Sequence, residues 1–415
     1  MKGGHTEMSN LGQICACRYH APPTDRYITC VLSLFLLFLI LPVCLAAAER
    51  DITLSLDIER QHSSNFYRSE EDEIGVHSTI IKPGVIARGW TDRSYVVFAY
   101  SPVFNYYSDD SDRVDASDDS FVGHDLNLRG GTTFFERLKL SLTERFYDTR
   151  EPGAYDIFLE SEADRERYKN NQVSPFLSYD FAEKFTAILG YQYQAYNFED
   201  SDNSNEHRGY GTLRYHLDDR NSFEVEEQYW ARRYPSNPDY VSNQIKLIFR
   251  RELSDFLRCE IGGGYHDRQF ESGATGVEDY DGFIYRLGLT GESEASSLFL
   301  GYTKNLNDFS KGTWYFEAQR ITLHVEHTFL AKLTCTLAAY YQENDYEDII
   351  PGIPKPREDE IWDAFIGVRC RFRDWLSAGL SYEYTDRGSN ITGWDYSENR
   401  IYGNIRFEYS TARGQ

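Results

Sequence analysis

The stretch Phe181-Ala182-Glu183-Lys184-Phe185-Thr186-Ala187-Ile188-Leu189-Gly190-Tyr191-Gln192-Tyr193-Gln194 decides the fold. It opens on apolar residues and a tight charged corner at Glu183-Lys184. Beyond the corner, Phe185, Ala187, Leu189, Tyr191 and Tyr193 share one face of an extended chain, because successive strand side chains point to opposite sides. Thr186, Gly190, Gln192 and Gln194 share the other. One face suits an apolar medium and the other suits water.

The same phrase returns along the chain. It stands at Phe135-Glu136-Arg137-Leu138, Leu217-Asp218-Asp219-Arg220-Asn221, Leu253-Ser254-Asp255-Phe256 and Gly291-Glu292-Ser293-Glu294-Ala295. It stands again at Leu330-Ala331-Lys332-Leu333 and Phe372-Arg373-Asp374-Trp375. Successive corners lie roughly 35–47 residues apart, the length of two strands and one long loop. After Trp375, Leu376, Ala378, Leu380, Tyr382 and Tyr384 oppose Ser377, Gly379, Ser381 and Glu383. Trp362, Ala364, Ile366, Val368, Cys370 and Phe372 oppose Asp363, Gly367, Arg369 and Arg371.

A soluble sandwich also alternates, with its apolar face turned inward. Here the polar face is rich in Arg, Glu, Gln, Gly and Thr, which suits a wet lumen, and Phe185, Phe256 and Trp375 flank the corners as an interfacial girdle does. The expected fold is all-β: a transmembrane antiparallel up-and-down barrel with long outer loops and short periplasmic turns. The segments number about eighteen, with sixteen as the fallback. Their limits are roughly 51–60, 77–89, 94–106, 121–133, 138–148, 171–181, 185–198, 207–217, 222–233, 240–251, 256–268, 279–290, 296–304, 314–328, 332–343, 361–372, 376–386 and 396–409. Pro83 and Pro102 are expected to interrupt the early strands, since proline cannot donate to a ladder.

Composition agrees with a two-faced wall. Aromatics make up 15% of the 415 residues, including 32 Tyr and 26 Phe, yet the mean hydropathy is −0.57. One long apolar run, Ile28 to Leu45, follows Arg18 and Arg26 and precedes Ala46-Ala47-Ala48. It reads as a signal peptide over 1–48 with an unusually long basic N-terminal region, a retained anchor being the alternative. The barrel is then expected over 49–409 and a short tail over 410–415. Formal net charge is −23, which excludes the basic footprint that nucleic-acid binding needs. Cys259, Cys335 and Cys370 fall on apolar faces, so no disulfide framework is expected.

Residues Tyr341-Gln342-Glu343-Asn344-Asp345-Tyr346, Arg357-Glu358-Asp359-Glu360-Ile361-Trp362 and Val368-Arg369-Cys370-Arg371-Phe372-Arg373-Asp374-Trp375-Leu376 carry a more specific signal. With Ser381-Tyr382-Glu383-Tyr384-Thr385-Asp386-Arg387 and Asp395-Tyr396-Ser397-Glu398-Asn399-Arg400, they resemble the outer-membrane family called β-barrel porin 2. The resemblance implies a Gram-negative outer-membrane barrel, often associated with exopolysaccharide production or export. Partners implied are outer-membrane lipid and lipopolysaccharide, the barrel-assembly machinery and polysaccharide-export components. No catalytic residues come with it.

The inward faces collect Arg214, Glu224, Glu226, Arg250, Arg258, Glu260, Arg286, Glu326, Arg369, Arg371, Glu383 and Arg406 as lumen-lining candidates. Opposed charges across a lumen select polar solutes by charge and size, as in a porin-like channel. The same charges, paired and closed up, suit a non-conducting structural or docking barrel. Trp230, Tyr340 and Tyr402 are candidates for stacking sugar rings or for plain filling of space. Asp109-Asp110-Ser111-Asp112, Asp115 and Asp118-Asp119 offer oxygen ligands but lack the glycine and terminal glutamate of a calcium loop. They read as a solvated charge run, and neither metal nor other cofactor is expected. His124, His216, His266 and His324 sit in no hydrolase motif, so an enzyme is not expected.

Overall fold

Short charged corners between two-faced segments leave each segment one way to satisfy its backbone in lipid, which is to pair on both sides with its sequence neighbours. The computed structural model describes residues 49–109, 115–150, 166–199, 201–271, 278–308, 315–346 and 356–411. The segment 1–48, expected to be a signal peptide, and residues Asp110, Ser111 and Asp112 of the acidic run lie outside them.

The strands are β1 (Glu49–Ser63), β2 (Val76–Trp90), β3 (Ser94–Asp109), β4 (Phe121–Phe134), β5 (Leu138–Thr149) and β6 (Tyr168–Ala182). There follow β7 (Phe185–Phe198), β8 (Ser204–His216), β9 (Asn221–Arg233), β10 (Tyr240–Ser254), β11 (Leu257–Phe270) and β12 (Tyr280–Glu292). The last six are β13 (Ser296–Asp308), β14 (Tyr315–Phe329), β15 (Leu333–Asp345), β16 (Glu358–Arg373), β17 (Leu376–Ser389) and β18 (Tyr396–Ser410). All belong to one 18-stranded sheet in which each strand pairs with its sequence neighbours and β1 pairs with β18. The closing ladder runs antiparallel from Thr53–Ser410 to Ser63–Arg400. Thr411 extends it by donating its N–H to the Ile52 carbonyl, so the wall continues past the expected limit at 409.

The seven corner phrases all fall at one end, with residues 91–93 supplying the eighth turn there. Two of them are tight left-handed turns. Phe135 and Glu136 have φ of 50° and 64°, and Leu330 and Ala331 have 52° and 56°. Positive φ at both central positions matches the right-handed twist of the flanking strands. Both chain ends of the barrel also lie at this end, which makes it periplasmic, with the long connections outside.

The prolines act differently from expectation. Pro83 and Pro102 lie inside continuous strands, with Pro83 opposite Leu56 and Pro102 opposite His124. Their effect is local: the β2–β3 ladder skips from Ile81–Phe104 to Val85–Tyr100. A missing N–H removes rungs without ending the strand, because each strand keeps its other neighbour.

The apolar rows point away from the enclosed space. Leu189 is 64% exposed, Leu247 58% and Leu380 63%, on a belt that runs around the outside of the wall. A water-facing belt of that extent would be an aggregation surface, whereas acyl chains cover it without cost. Cys259, Cys335 and Cys370 are free thiols on outward positions of the same belt. Among the described residues no helix is long and apolar enough to cross a membrane, and the crossing is made by strands.

Candidate functional site

Cross-strand register places side chains in rows on the enclosed face, and the charged ones form a connected series near the periplasmic end. Arg214 on β8 is opposite Glu224 on β9, and Arg250 on β10 is opposite Glu260 on β11. Glu224 accepts from Arg214 and ion-pairs with Arg250. Arg250 Nε donates to Glu260 at 2.6 Å, and Arg286 Nε reaches the other oxygen of Glu260 at 2.6 Å. Three guanidiniums and two carboxylates thus alternate across five neighbouring strands, leaving one net positive charge. They bound a vestibule of about 490 Å³ that Arg258 also lines.

A second chamber of about 620 Å³ adjoins the vestibule, since Arg286 and Phe299 line both. Its wall carries amides from Gln192, Gln194, Gln228 and Gln244. Glu226 faces this row, ion-paired to Lys246 at 2.6 Å. Across the barrel, Arg369, Arg371 and Arg406 line a third cavity of about 370 Å³ under β14–β18. There Arg371 donates to the Ala331 carbonyl at 2.7 Å and Arg406 pairs with Glu408 at 2.9 Å. Glu326 accepts from the Thr336 hydroxyl at 3.3 Å, and Glu383 accepts from Arg400 at 2.7 Å and from the Tyr402 hydroxyl. Of the twelve candidates, Arg258 and Arg369 make no side-chain hydrogen bond or ion pair among the described residues, and Arg369 shares its cavity with Lys332 and Arg373.

The twelve candidates therefore fall into separate groups rather than one site, and most lie in the periplasmic half. Residues that the sequence reading missed dominate the outer half: Arg208, Arg232, Lys246, Arg268 and Arg320 line the chamber with Asp308. The arginines among them share inward parity with recognised positions, so extending each strand's alternation outward would have found them. Asp308 carries no such signal, because alternation from Thr303 sends it outward.

The three candidate stacking rings each face an arginine. Arg208 covers the Trp230 ring at 4.4 Å, Arg320 covers Tyr340 at 4.5 Å, and Arg400 lies 5.6 Å from the centre of Tyr402. Each ring already holds a guanidinium, and His266 packs against Trp230 at 4.9 Å. Of the described residues of the acidic run, Asp115 and Asp118 are exposed, while three of its carboxylates make contacts within the fold. Asp109 accepts from the Ala116 N–H at 2.6 Å, Asp119 accepts from the Tyr67 hydroxyl at 2.7 Å, and Asp115 caps a short 3₁₀ turn. Burial and the Asp119 carboxylate together push the Tyr67 phenol above its ordinary range. Among the described residues, none of His124, His216, His266 and His324 bonds to a Ser or Thr hydroxyl; His124 meets Tyr100 instead, at 3.0 Å.

A closed antiparallel wall, a lipid-facing apolar belt and a charged, cavity-bearing lumen define an outer-membrane β-barrel of porin architecture in the Gram-negative envelope. Residues 244–409 match the family model described as "Putative beta-barrel porin 2". The outer-membrane protein opdK from Pseudomonas aeruginosa has a similar fold, with 10% identity, 88% of this chain and 99% of that one covered, and a TM-score of 0.50. Its complex with vanillate matches equally well, with 10% identity, 88% and 99% coverage and a TM-score of 0.50. OccAB3 of Acinetobacter baumannii matches with 9% identity, 88% and 100% coverage and a TM-score of 0.50. No curated protein matches the chain by sequence.

Proposed function

We propose that this barrel is a porin-like channel for small polar solutes. The observation that carries the reading is the 620 Å³ chamber that adjoins the periplasmic vestibule and is walled by amides and paired charges. Water-filled cavities in series make a path, and alternating charges along it act as a filter by charge and size. The chamber suits a small molecule, and opdK, whose fold this chain shares, has been crystallised with the small carboxylate vanillate. The association with exopolysaccharide rests on the family resemblance alone.

A closed, non-conducting docking barrel is favoured by one observation, the unbroken series from Arg214 to Arg286, which stiffens five strands. The cavities on both sides of that series weigh towards the channel. Planar-bilayer recording on refolded protein decides between them. Stepwise conductance is expected; a sample that shows heat-modifiable migration yet no conductance at any voltage refutes the channel.

A further inference from the structure

Pairing between β12 and β13 runs from Glu292–Ser297 to Tyr285–Lys304 and stops there. Both strands continue outward, β12 to Tyr280 and β13 to Asp308. Each keeps its other neighbour over that stretch, since Tyr280 pairs with Arg268 and Asp308 pairs with Tyr315. Among the described residues, the wall is therefore unzipped between the outer ends of these two strands.

A strand lying in a barrel wall shows alternate residues to the lumen. Asn305, Leu306, Asn307 and Asp308 all line the chamber, and the end of β13, though still laddered to β14, bends inward from the wall, as the contacts of Asp308 require. Asp308 fixes the bend. Its carboxylate takes an N–H from Arg268 at 2.6 Å and the hydroxyl proton of Tyr240 at 2.7 Å, and ion-pairs with Arg232. Arg232 stands on β9, four strands away, which at about 4.8 Å per strand is roughly 19 Å of wall. Asp308 reaches it only because the strand end bends inward. Behind the carboxylate, Leu306 packs with Tyr280 and Tyr315.

We propose that the outer end of β13 is a gate of the channel, latched across the chamber by Asp308 on Arg232, Arg268 and Tyr240. The proposal rests on the channel reading and names its moving part. Arg268 and Arg232 are buried; releasing Asp308 alone would strand Arg268 without its counter-charge and leave Arg232 only Glu206, at 3.7 Å. An anionic solute that takes the carboxylate's place removes that penalty, so arrival of an oxyanion favours opening.

Hydrogen exchange of the β13 amides, with conductance measured on the same refolded samples, tests this. Asp308→Asn is expected to speed exchange at Leu306–Asp308 by at least about tenfold and to raise conductance, while Asp308→Glu stays close to wild type. Inorganic phosphate, compared with chloride at equal ionic strength, should speed the same amides in the wild type and add little to Asp308→Asn. Tyr240→Phe, which leaves both ion pairs, should give a smaller acceleration and serves if Asp308→Asn folds poorly. Unchanged exchange in a folded Asp308→Asn or Tyr240→Phe protein overturns the latch, and phosphate without effect on the wild type overturns release by anions. Faster exchange in a protein that never conducts would leave the latch standing and remove the transport reading.

Discussion

Glu224 is the place where the charge filter is most directly tested. Its side chain is 3% exposed and holds Arg214 and Arg250 together. Glu224→Gln keeps the shape and removes one negative charge, taking the Arg214–Arg286 series from one net positive charge to two. A solute ion passing at about 6 Å in a water-like medium then feels an energy change of about 0.7 kcal/mol. That is about threefold in local concentration for each sign of ion, or about tenfold in the anion-to-cation permeability ratio. Reversal potentials under a salt gradient measure the ratio. The shift should be plain at 0.1 M salt, where the screening length is about 10 Å, and largely gone at 1 M, where it is about 3 Å. Because Arg214 and Arg250 keep 35% and 26% of their side-chain surface, the stability cost should be about 1–3 kcal/mol rather than the larger loss of a fully buried pair. An unchanged reversal potential at 0.1 M in a folded variant would refute the reasoning, as would a shift that salt does not screen.

Three further outcomes are expected. Leu189→Lys puts a charge on the lipid belt and should cost about 2–4 kcal/mol in refolding from urea, whereas Gln192→Lys, on the chamber side, should be nearly neutral; equal costs would mean the two faces are assigned wrongly. Gly264→Ala should lose about 1–3 kcal/mol by the same measurement, because a Cβ there would stand 2.2 Å from the Ile245 carbonyl oxygen; a variant as stable as wild type would show that the β10–β11 ladder yields freely. In the β8–β9 turn, N–H groups of Arg220 and Asn221 hold the Asp218 carboxyl below its ordinary value of 3.8. A depressed folded value contributes stability that is present above the unfolded value and lost as pH falls through the folded one. Asp218→Asn should therefore flatten the acid-side decline of the urea midpoint, and identical pH slopes would count against this.

The outward rows were legible in the sequence because strand alternation is a local property. Leu189 and Tyr191 point to lipid, and Gln192 and Gln194 to the lumen, whichever strand lies alongside. Turn chemistry was legible for the same reason, as at Glu136 and Ala331. Pro83 and Pro102 were over-read: a missing N–H was correctly located, but its effect depends on whether the other edge of the strand stays paired, which is a tertiary matter. Trp230, Tyr340 and Tyr402 were placed on the right side, yet what covers their rings comes from arginines up to 22 residues distant in sequence.

By itself, then, the order of residues determined a closed membrane barrel, its inside and outside, and which end carries the short turns, since all of these follow from the twofold repeat of an extended chain and the absence of water in the bilayer. Only the tertiary structure decided which charges neutralise one another, where the cavities lie, and that Asp308 turns inward to meet Arg232 and Arg268. Those facts depend on register across several strands and on a ladder that stops early, and neither is encoded in the alternation of any single strand.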